Sequence, residues 1–215
     1  MSDRTVFDAN PAMAVSSESP LAISRVTVAT VDTAERAGVV VREVAFLGHL
    51  MLRGSTADPG FVAGVERALG VALPVDAGQL SFDARRDVSL QWMSPDEWLL
   101  IVPGGAEFDA ELRLRAELTG HYAVINVSGG QTVLELSGPA VAQVLMKCTG
   151  YDVDPARFAV GRGVGTTFAK TTALIRRVEE QRWQLVIRRS FADYIYRWLL
   201  DASEEFGVHV GRKPT

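Results

Sequence analysis

Over residues 133–200 the apolar and polar positions change period several times, and each change marks an element. Val133, Glu135 and Ser137 alternate as a half-buried strand does. Ser137-Gly138-Pro139 stops that strand and opens a helix over 139–149, because proline's missing N–H has no partner in a first helical turn anyway. Val141, Leu145 and Cys148 then recur at helical spacing and make one apolar face. The apolar runs 172–178 and 183–187 flank Glu179-Glu180-Gln181-Arg182, which predicts a hairpin. Ser190 is the expected N-cap of a last helix whose apolar face carries Phe191, Tyr194, Ile195, Trp198 and Leu199. The stretch reads as one β-α-β-β-α unit.

An earlier stretch reads the same way. Residues 45–53 form a strand ending in Leu52-Arg53-Gly54, and Asp58-Pro59 starts a helix with Phe61, Val62, Val65 and Leu69 that Gly70 closes. Runs 88–93 and 98–102 make a hairpin around Ser94-Pro95-Asp96-Glu97, Gly104-Gly105 breaks the chain, and a helix follows over 108–118. Leu52-Arg53-Gly54 aligns with Leu136-Ser137-Gly138, and 97–102 with 182–187, at a near-constant offset of about 85 residues. The expected fold class is therefore α+β, with two pseudo-repeated β-α-β-β-α halves and antiparallel sheets. The expected organisation is an extended or partner-ordered arm over 1–38, a first half over 39–120, a second over 121–210 and a tail over 211–215. Residues 121–127, turned by Ser128-Gly129-Gly130, are expected to pair with 131–136.

The N-terminal region gives weaker signals. Segments 23–32 and 39–44 read as short strands, joined by a turn or brief helical connection at 33–36. Residues 1–21 carry Asn10-Pro11, Ser16-Ser17 and Ser19-Pro20, as a tail does. Yet Val6, Phe7, Met13 and Val15 are more apolar than solvation needs. An arm that orders on a partner, a disordered tail and a segment packed on its own domain all fit.

Composition narrows the function classes. A chain of 215 residues with 47% hydrophobic and 22% charged residues buries a full core, as one domain or two tightly joined halves. A net charge of −4 argues against a nucleic-acid surface, which needs clustered Lys and Arg. No run of apolar residues is long enough to cross a membrane, and no secretory pattern opens the chain. The single Cys excludes an internal disulfide and fits a reducing cytoplasm, the expected location.

Candidate chemistry is sparse. His49, His121 and His209 lie in different elements, away from Cys or carboxylate clusters, and read as surface or core-edge residues. The Gly161, Gly163, Gly165 series has neither phosphate-loop nor dinucleotide spacing and reads as a flexible connection or bend. Cys148 reads as a buried small hydrophobe. Asp96-Glu97 and Glu179-Glu180 occupy matching hairpin turns and read as solvated pairs. Arg176-Arg177 and Arg188-Arg189 read as solvated strand edges, with an anion- or partner-binding strip as the alternative. No catalytic, cofactor-binding or metal-binding set emerges.

The motifs themselves are more specific than any of these residues. Residues 92–100 (WMSPDEWLL), Leu136-Ser137-Gly138-Pro139, 154–158 (DPARF), and 189–194 (RSFADY) followed by Trp198-Leu199 resemble the gamma subunits of heterotetrameric sarcosine oxidases. The resemblance covers about 39–207, most of the chain, and rests on Trp92, Pro95, Trp98, Gly138, Pro139, Asp154, Pro155, Phe158, Arg189, Ser190, Phe191 and Tyr194. It implies a fold like the folate-binding domain of glycine-cleavage aminomethyltransferases. It implies a non-catalytic subunit packed on the folate-like region of an alpha subunit, in a complex with alpha, beta and delta chains. Such complexes demethylate sarcosine to glycine with hydrogen peroxide and, with tetrahydrofolate, 5,10-methylenetetrahydrofolate. FAD, FMN and NAD are implied on the large subunits, zinc on delta and folate on alpha, with none on this chain. Where relatives often have Lys-Gly-Cys, this chain has Lys147-Cys148-Thr149-Gly150. Two other readings remain: a stand-alone folate-binding aminomethyltransferase-like protein using Asp83, Asp87 or Asp152, and a binding module using Arg176, Arg177, Arg188 and Arg189.

Overall fold

Alternate residues of the same strands enter different cores, and this sets the architecture. Leu100, Leu134, Ile175 and Leu185 point to helices, whereas their neighbours Leu99, Val133, Leu174 and Val186 meet one another. Side chains of a strand alternate between faces, so two sheets must lie face to face with helices outside both. The computed structural model describes residues 17–22, 24 and 33–211. Residues 1–16 and all of the expected strand at 23–32 except Ser24 lie outside the described residues.

The strands are β1 (Val39–Val44), β2 (Gly48–Arg53), β3 (Leu80–Phe82), β4 (Ser89–Ser94), β5 (Glu97–Val102), β6 (Ala123–Asn126), β7 (Gln131–Ser137), β8 (Arg162–Phe168), β9 (Thr171–Glu179), β10 (Arg182–Arg188) and β11 (Val208–Val210). The helices are α1 (Pro59–Leu69), α2 (Glu107–Glu117), α3 (Val141–Cys148) and α4 (Ala192–Ser203). One sheet runs β3-β4-β5-β2-β6 and carries α1 and α2; the other runs β11-β1-β7-β10-β9-β8 and carries α3 and α4. Among the described residues all pairings are antiparallel except β1 with β11. The fold is α+β.

Several elements follow from local chemistry. Asp58 caps α1 by accepting from Gly60 N–H at 2.8 Å, Pro59 takes the first turn, and Gly70 ends the helix at φ 67°. The chain at 34–36 makes a short 3-10 turn, one of the two forms expected there. Gly138 sits at φ 126°, where a Cβ would come within 2.5 Å of the Gly38 carbonyl oxygen, so only glycine fits.

Other expectations fail. Residues 121–127 and 131–136 do not form a hairpin: β6 pairs with β2, whereas β7 lies between β1 and β10 in the other sheet. Ser128-Gly129-Gly130 therefore carries the chain between sheets, held by Val127 N–H on the His49 carbonyl at 2.9 Å. Ser190 caps nothing. A 3-10 turn over Arg189–Phe191 feeds backbone hydrogen bonds directly into α4, with the Ala192 N–H on the Arg189 carbonyl. The buried stripe of α4 is narrower than expected, because Ile195, Leu199 and Leu200 are buried while Phe191 is 42% and Trp198 37% exposed. Helix α3 begins at Val141, two residues beyond Pro139.

Candidate functional site

The motif residues serve different parts of the fold. Asp154, Pro155 and Phe158 form a loop that closes on Arg177 of β9. The Arg177 guanidinium donates to the carbonyls of Pro155 (2.9 Å), Phe158 (2.7 Å) and Glu180 (3.1 Å), and to the Glu180 carboxylate (2.7 Å). It lies 5.4 Å from the centre of the Trp183 ring, on which Phe158 also packs at 5.3 Å. Asp154 shapes this loop, its carboxylate accepting from Ala156 N–H and its carbonyl from the Arg157 and Phe158 amides. Trp98 is buried and donates its indole N–H to the Pro74 carbonyl at 2.7 Å. Trp92 lies on β4, Pro95 in the turn before β5, and Gly138 and Pro139 in the turn leading to α3. Arg189 reaches the Gly129 carbonyl at 3.4 Å, Tyr194 accepts from Lys170 N–H at 3.3 Å, and Ser190 and Phe191 are exposed. The structure brings together the 154–158 group but does not gather the twelve positions into one site.

The four arginines are not a strip. Arg176 and Arg177 are buried, and as neighbours in a strand they point to opposite faces; Arg188 and Arg189 are exposed. Arg176 points between the sheets, where it donates to Ser89 Oγ at 2.7 Å and faces the Phe82 ring. Burial pushes its pKa down to about 9, so it stays protonated at neutral pH. His49 shares this layer and is fully buried, a core residue and not a surface or core-edge one. Burial lowers its pKa to about 4; the Leu47 backbone opposes this weakly and the Arg176 charge adds to it. A neutral imidazole thus sits in the same buried layer as a cation.

The glycine series is not a flexible connection. Gly163 and Gly165 belong to β8, and that strand stitches the sheets together. Leu80 N–H donates to the Gly161 carbonyl and Gly163 N–H to the Gly78 carbonyl, both at 2.8 Å, around a Gln79–Arg162 bridge. A Cβ on Gly163 would overlap Gln91 Oε1, so its absence permits the close approach.

The other candidates have local roles. Cys148 is buried in the α3–α4 core, and burial raises its thiol to about 12. Asp83 accepts from Val88 N–H, Asp152 from Asp154 N–H, and Asp87 is exposed, so these carboxylates share no cleft. Asp96 pairs with Arg53 at 2.7 Å and Glu179 with Arg182 at 2.6 Å across exposed turns. His121 is exposed and His209 partly buried. Among the described residues no three His, Cys, Asp or Glu side chains form a group able to hold a metal ion. No helix among them is long and apolar enough to cross a membrane.

Three open cavities follow one another along β8, of about 350, 480 and 410 Å³. The first two share Met93 and Gly165, and the last two share Thr167. Among the described residues their linings contain Arg162, Arg188, Lys147 and Lys170 and no carboxylate. Arg162 and Arg188 make no ion pair among the described residues.

Residues 53–205 match the model of the "Sarcosine oxidase, gamma subunit family". The chain belongs to that family. It is 38% identical over 169 residues to a sarcosine oxidase subunit gamma from Arthrobacter sp., covering 78% of this chain and 81% of the relative. It is 36% identical over 184 residues to one from Corynebacterium sp. (strain U-96), covering 84% and 88%. A chain of the solved heterotetrameric sarcosine oxidase from Corynebacterium sp. U-96, in complex with pyrrole 2-carboxylate, superposes with a TM-score of 0.75 at 35% identity, covering 88% of this chain and 96% of that one. The glycine cleavage aminomethyltransferase T of Bartonella henselae shares the fold, at a TM-score of 0.59 and 17% identity over 81% of this chain and 48% of that one.

Within this gamma-subunit family member, the residues that sequence reasoning missed are Arg177, as the centre of the 154–158 loop, and the Gln91–Gly163 contact. A charged residue inside the apolar run 172–178 was the available signal for the first. Nothing local signals the second.

Proposed function

We propose that this chain is the non-catalytic gamma subunit of a heterotetrameric sarcosine oxidase. The observation that carries this is the superposition on a chain of the Corynebacterium complex over nearly that chain's full length at 35% identity. The complex would oxidatively demethylate sarcosine to glycine, yielding hydrogen peroxide and, with tetrahydrofolate, 5,10-methylenetetrahydrofolate. In this reading FAD, FMN, NAD, tetrahydrofolate and zinc belong to alpha, beta and delta chains, and the assembly works in the cytoplasm.

The residues here do not fit a folate site of their own. Gripping a pterin needs a buried carboxylate, and the layer between the sheets offers Arg176 and His49 instead. Asp83 and Asp87 lie on the β3–β4 loop and Asp152 on the loop after α3, outside that layer. No step of the chemistry is therefore assigned to this chain, and its contribution is to shape and close the alpha subunit's folate-like region.

The same reading includes two related halves, 39–120 and 121–210, flanked by an arm over 1–38 and a tail over 211–215. Two facts support it. The strand order β3-β4-β5-β2-β6 runs in step with β8-β9-β10-β7-β1. Leu52 faces Trp98 across one sheet as Leu136 faces Trp183 across the other. The opening strands β1 and β6 each join the sheet of the other half, which locks the halves together.

Coexpression with the neighbouring subunits tests the function. A stoichiometric complex that keeps this chain through size-exclusion chromatography and oxidises sarcosine is expected. Recovery of an active complex without the chain, or of the chain always alone, would overturn the proposal.

A further inference from the structure

Strand β8 is an edge strand, and its outward backbone is sealed at both ends but open in the middle. Alternation in an antiparallel ladder turns Arg162, Val164, Thr166 and Phe168 toward β9 and leaves Gly163, Gly165 and Thr167 facing away. Gly163 N–H is taken by the Gly78 carbonyl, the Thr167 carbonyl by Thr149 Oγ1 at 2.8 Å, and Ala169 N–H by the Cys148 carbonyl at 2.7 Å. The N–H and C=O of Gly165 and the N–H of Thr167 have no partner among the described residues.

Proteins usually guard such an edge with a lysine, a proline or a covering loop. Here the residue at the gap is an exposed glycine whose added Cβ would meet nothing within 4 Å. The missing side chain opens onto the 480 Å³ cavity, whose apolar wall includes Met51, Met93 and Leu99. Arg162 stands beside the gap on one side and Arg188 on the other, and among the described residues no carboxylate lines the cavities along the strand, although the chain's net charge is −4.

The geometry points to this gap as a docking site for a short extended segment of a partner subunit. That segment adds to β8 at Gly165 and Thr167, puts an apolar side chain into the Met51–Met93–Leu99 cavity, and offers carboxylates to Arg162 and Arg188. This rests on the assembly proposed above. A single-stranded nucleic acid fits less well. It does not match the alternating donors and acceptors of a strand edge, and its phosphates, one per nucleotide, need more cations than the trough supplies.

Hydrogen exchange of the chain alone and within the purified complex tests the site. The Gly165 and Thr167 amides should exchange about tenfold or more slowly in the complex. An intact complex in which both exchange as in the free chain overturns the docking site but leaves the subunit assignment standing. Failure to form the complex overturns the assignment itself. Charge reversal gives the second arm: Arg188→Glu, at a side chain with no hydrogen bond or ion pair among the described residues, should weaken association by about tenfold or more at low salt, with unchanged thermal unfolding of the free chain. Undiminished association overturns the proposal. Binding of a dT20 oligonucleotide that the same reversal abolishes, with Gly165 unprotected in the complex, also overturns it in favour of nucleic acid.

Discussion

Gln91 of β4 occupies the space that a side chain on Gly163 of β8 would fill. Gln91 is fully buried and its Nε2 donates to the carbonyls of Gly78, Gln79 and Trp92 at 3.1–3.3 Å, so it cannot swing aside. Gly163→Ala should therefore lower stability by about 1–3 kcal/mol. Gly165→Ala, two residues along where the space is open, should change it by less than about 0.5 kcal/mol. Urea unfolding of both variants checks the contrast, and equal effects would refute it.

Arg177 holds three backbone carbonyls and one carboxylate with a side chain that is 4% exposed. Arg177→Ala should cost about 3 kcal/mol or more, because the Pro155 and Phe158 carbonyls lose their donor. Arg177→Lys should recover little, since an ammonium cannot fork to several acceptors as a guanidinium does. Limited proteolysis should then cut within 150–161, and an uncut loop in the Ala variant would count against this role.

His49 makes stability depend on pH. Its folded pKa of about 4 lies below the ordinary 6.5, so the unfolded chain binds the extra proton between these values. Its contribution is intact above about pH 6.5, declines as pH falls toward 4, and levels off below. The total loss is at most about 3 kcal/mol. His49→Leu should flatten this part of the stability–pH curve, which thermal melts from pH 4 to pH 7 would record.

Arg176 and Ser89 should respond unequally. Arg176→Met replaces a buried cation that has no carboxylate partner among the described residues by an apolar chain of similar length, and should be neutral or stabilising. Ser89→Ala removes the hydroxyl but leaves the charge, and should cost about 1–3 kcal/mol. A larger loss from Arg176→Met would mean that the guanidinium does more between the sheets than satisfy Ser89.

Cys148 should be inert while the chain is folded. Its thiol is raised to about 12 by burial, so little thiolate exists at neutral pH. Labelling by a disulfide reagent should track unfolding in urea; fast labelling without urea would contradict the burial.

Much of this fold was legible one element at a time. Helix α1 carries its own start and stop in Asp58, Pro59 and Gly70, and hairpin β9–β10 is marked by two apolar runs around a charged turn. The correspondence of Leu52 and Trp98 with Leu136 and Trp183 was readable as spacing, and in the structure each pair faces across its own sheet. The motifs around Trp98, Gly138 and Phe158 carry the resemblance to the gamma-subunit family in the sequence itself. Arg177 was misread because a charged residue near a strand end is usually solvated. Only the loop carrying Pro155 and Phe158, about twenty residues earlier in the chain, supplies the acceptors that let it be buried.

By itself the sequence determined most helices, the β4–β5 and β9–β10 hairpins, the start and stop of α1, and the family, because those depend on neighbours within a few residues or on whole motifs. The tertiary structure decided which strands share a sheet. Residues 123–126 pair with β2 and not with β7, although a Ser-Gly-Gly turn serves a hairpin as readily as a crossing. It also decided that Gly163 is a contact point between sheets, that His49 and Arg176 lie in one buried layer, and that the backbone of Gly165 is left open among the described residues. Each of these depends on which surfaces two sheets present once they face each other, and local periodicity carries no information about that.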